Sequence, residues 1–425
     1  MKKQIVITGY DLISPIGVGQ EEFWTALSNG TSGVGFMEGT DSESACRPFV
    51  ALAPDFHPKD FVKPKKNIKV MSRDIQLGFV AAAMAVQRSG LSVDPEKPDE
   101  RSVAPERLGV IFGCDLMGLD LTELTDAFRA GTTDGVHDFS TWGKCAMEKI
   151  MPLWMLKYLP NMPASHIGIA MDARGPSNSP TLDRAASGAA IIEAASIIER
   201  GDADVMVCGG CGNRSNPSFL ARGNSYHLAP WTGDPQSVPR PFDANRVGTV
   251  LGEGSGALVL ESREFAEARG AKPLAVLRGF GRVVEPTNEL SITAKSVERA
   301  IAQALSDADM TAADIDHVNA DGLGTVEDDS IEALGIKNAL GDVPVFSAKG
   351  HFGNLGSGTG AVELIASLMA LEKGTLPAVR NCEKIAGDCP INVIADQPHS
   401  VKKPAFVKIN QTNLGRSVAL VVEKC

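Results

Sequence analysis

Leu251-Gly252-Glu253-Gly254-Ser255-Gly256, running on into Ala257-Leu258-Val259-Leu260, is the stretch on which the fold reading turns. A second set, Cys208-Gly209-Gly210-Cys211-Gly212, follows another short apolar run. Glycine accepts close backbone approach and positive φ, so such sets predict strand-to-turn junctions where main chains come near each other. The first set lacks the strand-to-helix spacing and the Lys of a nucleotide-binding loop, so its role is read as structural. Glycine accounts for 43 of the 425 residues, with no collagen period. That exceeds the roughly 7% of ordinary proteins and predicts many tight turns between buried strands.

Outward from these sets, short apolar runs alternate with longer amphipathic segments, the pattern of an α/β protein with buried sheets. In a first series, strands are expected at residues 5–8, 108–112 and 204–208, with helices at 73–90 and 185–200, the latter ending at Gly201. In a second, strands fall at 256–260, 275–281, 315–319, 343–347 and 407–410, with helices at 292–308, 330–340 and 360–373. The similar content of the two series, with a change-over near 261–272, predicts a duplicated architecture divided as 1–260 and 261–425. Segment 115–165 is the least regular. Its Trp142, Met147, Met151, Trp154 and Met155 read as core packing, with a substrate or subunit surface as the alternative.

Composition excludes several classes. A net charge of −11 and a pI near 5.2, without an arginine- and lysine-rich stripe carrying aromatics, speak against a nucleic-acid binder. Hydrophobic residues at 43% and charged residues at 22% speak against a disordered chain. Eight scattered cysteines do not form a disulfide framework, and the spacing Cys208-x-x-Cys211 lacks a second pair or a histidine cluster. Packing is its expected role, and no metal site or cofactor is expected. The run 5–9 is too short for a signal sequence, and no stretch reaches the ~20 apolar residues of a spanning helix. A cytoplasmic protein without a membrane anchor is the expectation.

Several stretches together resemble the β-ketoacyl-acyl-carrier-protein synthases. They are Ile5-Val6-Ile7-Thr8-Gly9, Ser14-Pro15-Ile16-Gly17, Met71-Ser72-Arg73, Gly201-Asp202-Ala203-Asp204, Arg240-Pro241-Phe242-Asp243 and, most specific, Gly248 to Gly256. The resemblance runs along almost the whole chain in the family's order. It implies the thiolase fold, a duplicated α-β-α-β-α arrangement of five layers, and a dimer. It also implies decarboxylative condensation of an acyl thioester with a malonyl unit on acyl carrier protein, with no cofactor beyond the carrier's phosphopantetheine arm.

The chemistry of that family needs a nucleophile at a helix N-terminus, where the dipole lowers a thiol pKa. The matching position here is Ala185, in Asp183-Arg184-Ala185-Ala186-Ser187-Gly188. Two imidazoles stabilise the enolate formed by decarboxylation. The first is replaced by Asp321, in Asn319-Ala320-Asp321, and the second by Asn354 when Gly360-Ala361-Val362-Glu363 anchors the match. His351 lies three residues away and is read as a loop or dimer-surface residue, or else as a functional substitute. Lys349, Asp329 and Glu332 match family positions that organise hydrogen bonds beneath the site. The family's Gly-Phe-Gly-Gly gate reads Asn413-Leu414-Gly415-Arg416, which places Leu414 at the gating Phe and Arg416 at the last glycine.

These replacements imply a scaffold that has lost its condensing chemistry, similar to a chain length factor, which pairs with an active synthase. Chain length factors typically place Gln at the nucleophile position, where this chain has Ala. The alternatives are an acyltransferase recruiting Ser187, His351 or Cys114, and a homodimeric scaffold that binds carrier protein. Arg184 is expected to pair with Asp321 or Asp183, or else to face a dimer surface, because a buried unpaired charge is costly. Lys63, Lys65, Lys66, Lys69 and Arg73 form a basic cluster, either plain solvated surface or a dock for the acidic carrier.

Overall fold

The computed structural model describes residues 3–38, 47–220, 227–285 and 293–425. Ile292, the expected start of the helix 292–308, lies outside the described residues. Ten strands build the core: β1 (Ile5–Ser14), β2 (Leu108–Gly113), β3 (Ser177–Asn178), β4 (Val205–Asn213), β5 (Leu251–Ser262), β6 (Ala275–Val284), β7 (Ile315–Asn319), β8 (Pro344–Phe346), β9 (Ala405–Thr412) and β10 (Arg416–Lys424).

The opening stretch is strand throughout, not a junction. All residues of β5 are buried, and layers cover the strand on both faces, which explains a near-continuous apolar and glycine run instead of alternation. Its glycines answer to close approach alone. A Cβ on Gly254 would stand 2.8 Å from the Ile13 carbonyl oxygen, and one on Gly210 in β4 would stand 2.4 Å from that of Ser357. The expectation of turns at these sets is corrected.

The first five strands lie in the order β1-β5-β4-β2-β3 and the second five in the order β6-β10-β9-β7-β8. Each series is therefore ordered 1-5-4-2-3, its first two pairings antiparallel and its last two parallel. Residues Ile5–Ile7 of β1 pair with Ala275–Leu277 of β6 and join the two sheets. The duplication is thus a property of the strand topology.

Helices α1 (Arg73–Ser89) and α2 (Met162–Met171) cover the outer face of the first sheet. Helices α4 (Ala294–Ala308) and α5 (Val326–Leu340) lie outside the second. Between the sheets lie α3 (Ala186–Arg200) and α6 (Thr359–Lys373), completing five layers, α-β-α-β-α. Their sequences fit that place: α6 is buried without a break from Thr359 to Leu371, and a helix apolar all round belongs in an interior. Ser72 caps α1 by accepting from the Ile75 N–H, and Gly201 ends α3 at φ +83.

The segment between β2 and β3 overturns the core-packing reading of its Met and Trp residues. Met147 is 87% exposed and Phe139 81%, while Met151, Leu153 and Met155 are also exposed and Trp142 and Trp154 half-buried. This segment lies beyond the sheet layers, where the chain leaves these side chains uncovered.

Candidate functional site

The site gathers where four elements meet: the N-terminus of α3, the loop after β7, the short helix Lys349–Phe352, and the hairpin between β9 and β10. Leading into α3, Asp183 adopts φ +49, a left-handed conformation uncommon for a residue with a side chain. Its carboxylate is held at 2.7 Å by Arg214, which also pairs with Asp115. Two residues on, Ala185 occupies the start of the helix, 1% exposed. The dipole-favoured position is kept, but a methyl group stands there.

Arg184, 2% exposed, turns inward and does not face a dimer surface. Its Nε donates to Asp321 Oδ2 at 2.8 Å, one terminal nitrogen donates to Asn413 Oδ1 at 3.3 Å, and Asp183 lies 3.6 Å from the other. Asp321 is bonded in turn by Lys349 Nζ and by Asn410 Nδ2 at 3.1 Å. Lys349 reaches Glu363 at 2.7 Å, and so does Lys408 from β9. Arg184, Lys349 and Lys408 therefore face Asp321 and Glu363 in the interior, with Asp183 as the outer carboxylate.

Burial opposes every charge here, and the partners decide the outcome. Burial alone would raise the Asp321 pKa, but Lys349, Arg184 and Lys408 together hold it below the usual carboxylate range. Lys349 is raised despite burial because Asp321 and Glu363 flank it. Lys408 is lowered, since burial and the neighbouring Lys349 outweigh Glu363. The acceptor oxygens of Asp321 are already engaged by Arg184, Lys349 and Asn410.

Asp329 and Glu332, in the first turns of α5, hold the loop that carries Asp321. Glu332 accepts the N–H groups of Asp321 and Gly322, both at 2.8 Å. Asp329 accepts those of Gly324 at 3.0 Å and Phe242 at 2.8 Å. Burial pushes their pKa values up, to about 8 for Glu332, with help from the Asp321 charge, and to about 7 for Asp329.

Asn354 stands apart from this cluster. Its side-chain oxygen accepts from the Gly356 N–H at 2.9 Å, and its main chain bonds Val250 and Gly252 at the start of β5. No hydrogen bond joins it to Asp321 or Arg184 among the described residues. His351 is wholly buried, which removes the surface reading. Its Nδ1 donates to the Thr31 carbonyl at 2.9 Å, its Nε2 has no partner among the described residues, and burial lowers its pKa to about 4. The remaining nucleophile candidates are shut in: Ser187 Oγ accepts from the Ala361 N–H at 3.0 Å, and Cys114 is 0% exposed.

The residues matched to the family's gate form a tight hairpin. Thr412 pairs with Arg416 across Asn413-Leu414-Gly415, with Gly415 at φ +69, the left-handed residue that ends many three-residue turns. Leu414 points to solvent at 59% exposure. Arg416 borders a cleft of about 310 Å³ that Leu182, Ala185, Ala189 and Val418 also line.

Of the basic cluster, Lys63, Lys65, Lys66 and Lys69 are exposed, whereas Arg73 begins α1 and is tied to Glu253 at 2.7 Å. Arg73 leaves that cluster. Cys208 and Cys211 are buried inside β4, and burial raises both thiols above their ordinary pKa. Among the described residues no helix is long and apolar enough to cross a membrane. Also among them, no group of three or more His, Cys, Asp or Glu residues is placed to hold a metal.

Sequence reasoning missed Lys408, Glu363 and Arg214. Lys408 had a signal: a lysine within Ala405-Phe406-Val407-Lys408-Ile409 must find an anion if that run is a buried strand. Glu363, in the apolar helix α6, offers the same cue.

Five layers with this repeated strand order, and a helix N-terminus facing the loops of the second half, define a condensing-enzyme type of architecture. The chain belongs to the β-ketoacyl synthase family: residues 2–266 match the Beta-ketoacyl synthase, N-terminal domain, and 274–383 the Beta-ketoacyl synthase, C-terminal domain. It is 32% identical to 3-oxoacyl-[acyl-carrier-protein] synthase 2 of Vibrio harveyi, over 95% of this chain and 93% of that one. Among solved structures it superposes on the ishigamide ketosynthase/chain length factor with a TM-score of 0.85 at 25% identity. With a β-ketoacyl synthase from Burkholderia phymatum STM815 the TM-score is 0.87 at 25% identity, and both comparisons cover 100% of each chain.

Proposed function

We propose that this chain is a non-condensing β-ketoacyl synthase homologue of fatty-acid or polyketide biosynthesis, acting in the cytoplasm as a chain-length-factor-like partner of an active synthase. The observation that carries the reading is Ala185 at the start of α3, beneath the Arg184–Asp321 pair. An acyl group cannot be taken up on a methyl, and the buried Asp321 presents negative charge where the family stabilises an enolate. Lys349, Asp329 and Glu332 support this architecture without supplying a nucleophile.

The partner reading draws on the uncovered apolar side chains between β2 and β3, Phe139, Met147 and Met155 among them. Large exposed apolar patches mark interaction sites, and methionine adapts its shape to a partner. The solved ketosynthase/chain length factor supports the same reading by likeness. Lys63, Lys65, Lys66 and Lys69 offer an exposed positive face to an acidic carrier protein.

The test incubates the pure protein with acyl- and malonyl-carrier protein and follows intact mass and CO₂ release. The expected result is no covalent acyl adduct and no release above buffer; either signal would overturn the non-catalytic reading, and an adduct would favour the acyltransferase. Co-expression with a cysteine-containing synthase, followed by sizing, is expected to give a mixed dimer. Recovery of a homodimer alone would favour the carrier-binding scaffold.

A further inference from the structure

Arg184 has a consequence beyond the missing nucleophile. We propose that its side chain is a plug that closes position 185 to a thioester arm arriving beneath the β9–β10 hairpin. The inference rests on reading position 185 as the emptied nucleophile site. Among the described residues Arg184 is the bulkiest of the wholly buried side chains, and it spans the gap between the interior and the turn. Its inner end is fixed by Asp321, which is itself bonded by Lys349 and Asn410, with its N–H held by Glu332. Its outer end meets Asn413, the half-buried first residue of the turn. Ala185 follows directly and borders the cleft that it shares with Leu182, Ala189, Val418 and Arg416.

An arm entering under the hairpin would have to displace a guanidinium from a buried carboxylate. That step parts a guanidinium from its carboxylate in a low-dielectric interior, leaving Asp321 to Lys349 and Arg184 to the more distant Asp183, which costs more than moving a neutral side chain. A thiol restored at position 185 is therefore screened by its neighbour on the side of Asn413. The site is closed by a side chain that is present as well as by one that is absent.

The experiment compares Ala185→Cys with Arg184→Ala/Ala185→Cys, using a chloroacetamide carried on a pantetheine arm. The introduced thiolate attacks the chloromethyl carbon; a C–S bond forms, the C–Cl bond breaks, chloride leaves and the thiol proton goes to buffer. Peptide mass locates the label at position 185 against the wild-type background. The expected result is labelling at least about tenfold slower in the single variant, because the buried pair must open first. Asp321→Asn/Ala185→Cys, which weakens the latch while keeping the Arg184 bulk, is expected to label faster than Ala185→Cys alone. It also answers the question if the first double variant does not fold. Equal rates in the single and double variants would overturn the plug and leave the non-condensing reading intact. An acyl adduct on the wild-type protein would overturn that reading instead.

Discussion

Arg184 Nε and Asp321 Oδ2 stand 2.8 Å apart with side chains only 2% and 1% exposed, joining the start of α3 to the loop after β7 across the middle layer. Their worth to the fold lies in the cost of separating them. Asp321→Ala would leave Arg184 and Lys349 facing each other without their shared anion, and breaking a buried pair in this way costs about 3–5 kcal/mol. Replacing both partners, as Arg184→Met/Asp321→Leu, is expected to cost less than Asp321→Ala alone. Urea unfolding of the set measures this; a single-variant loss below about 1 kcal/mol would show that the pair behaves like a surface ion pair.

The hairpin makes a second expectation. With its side chain in solvent, Leu414→Ala should change stability by no more than about 0.5 kcal/mol. Gly415→Ala places a Cβ at φ +69 and is expected to cost about 1 kcal/mol. If Leu414→Ala proved the more damaging in thermal melts, Leu414 would have to pack inward, as a gate residue would.

Stability should also fall with rising pH through the titration of Glu332 and Asp329. Both carboxyls have raised folded-state pKa values, about 8 and about 7, so the folded chain holds their protons more tightly than the unfolded chain. Their contribution is fully present below the unfolded values near 4 and is lost as pH rises through 7 and 8. Asp321 has the opposite sign, and because its folded pKa is depressed its loss falls at strongly acid pH. Melting temperature is therefore expected to drop between about pH 6 and pH 8.5, with a shallower slope in Glu332→Gln. An unchanged melting temperature over that window would mean both carboxylates are ionised throughout.

What could be read in advance followed from local rules. The helices α1, α3 and α4 announce themselves by apolar periodicity, α6 by its largely apolar run, and three of them by the glycine stops Gly90, Gly201 and Gly374. The pairing of Arg184 was legible because a charge inside an apolar stretch needs a partner. Strand β3 was not, since two residues carry no periodicity. Strand β10 was not legible although Val418-Ala419-Leu420-Val421-Val422 is strongly apolar, because a short apolar run directly after a loop motif does not by itself distinguish strand from buried loop. The exposure of Met147 and Met155 was beyond reach: periodicity tells which face is apolar, never whether the same chain covers it.

The glycines that first marked the sheets give the last expectation. Gly210 lies in β4 where the first sheet meets both α3 and the loop before α6. A Cβ there would stand 2.4 Å from the Ser357 carbonyl oxygen and 2.8 Å from Ser187 Cβ. Neither neighbour can yield cheaply: one is backbone, and the other belongs to the first turns of the central helix. Gly210→Ala is therefore expected to cost about 3 kcal/mol, the upper end of ordinary overpacking, and to push α3 away from the sheet. Gly35→Ala is the matched control, since a Cβ at Gly35 meets nothing within 4 Å and the glycine has no positive φ, so a change within about 0.5 kcal/mol is expected. Equal melting temperatures for the two variants would mean that the sheets tolerate a side chain at this contact, and that glycine serves there for some purpose other than close approach.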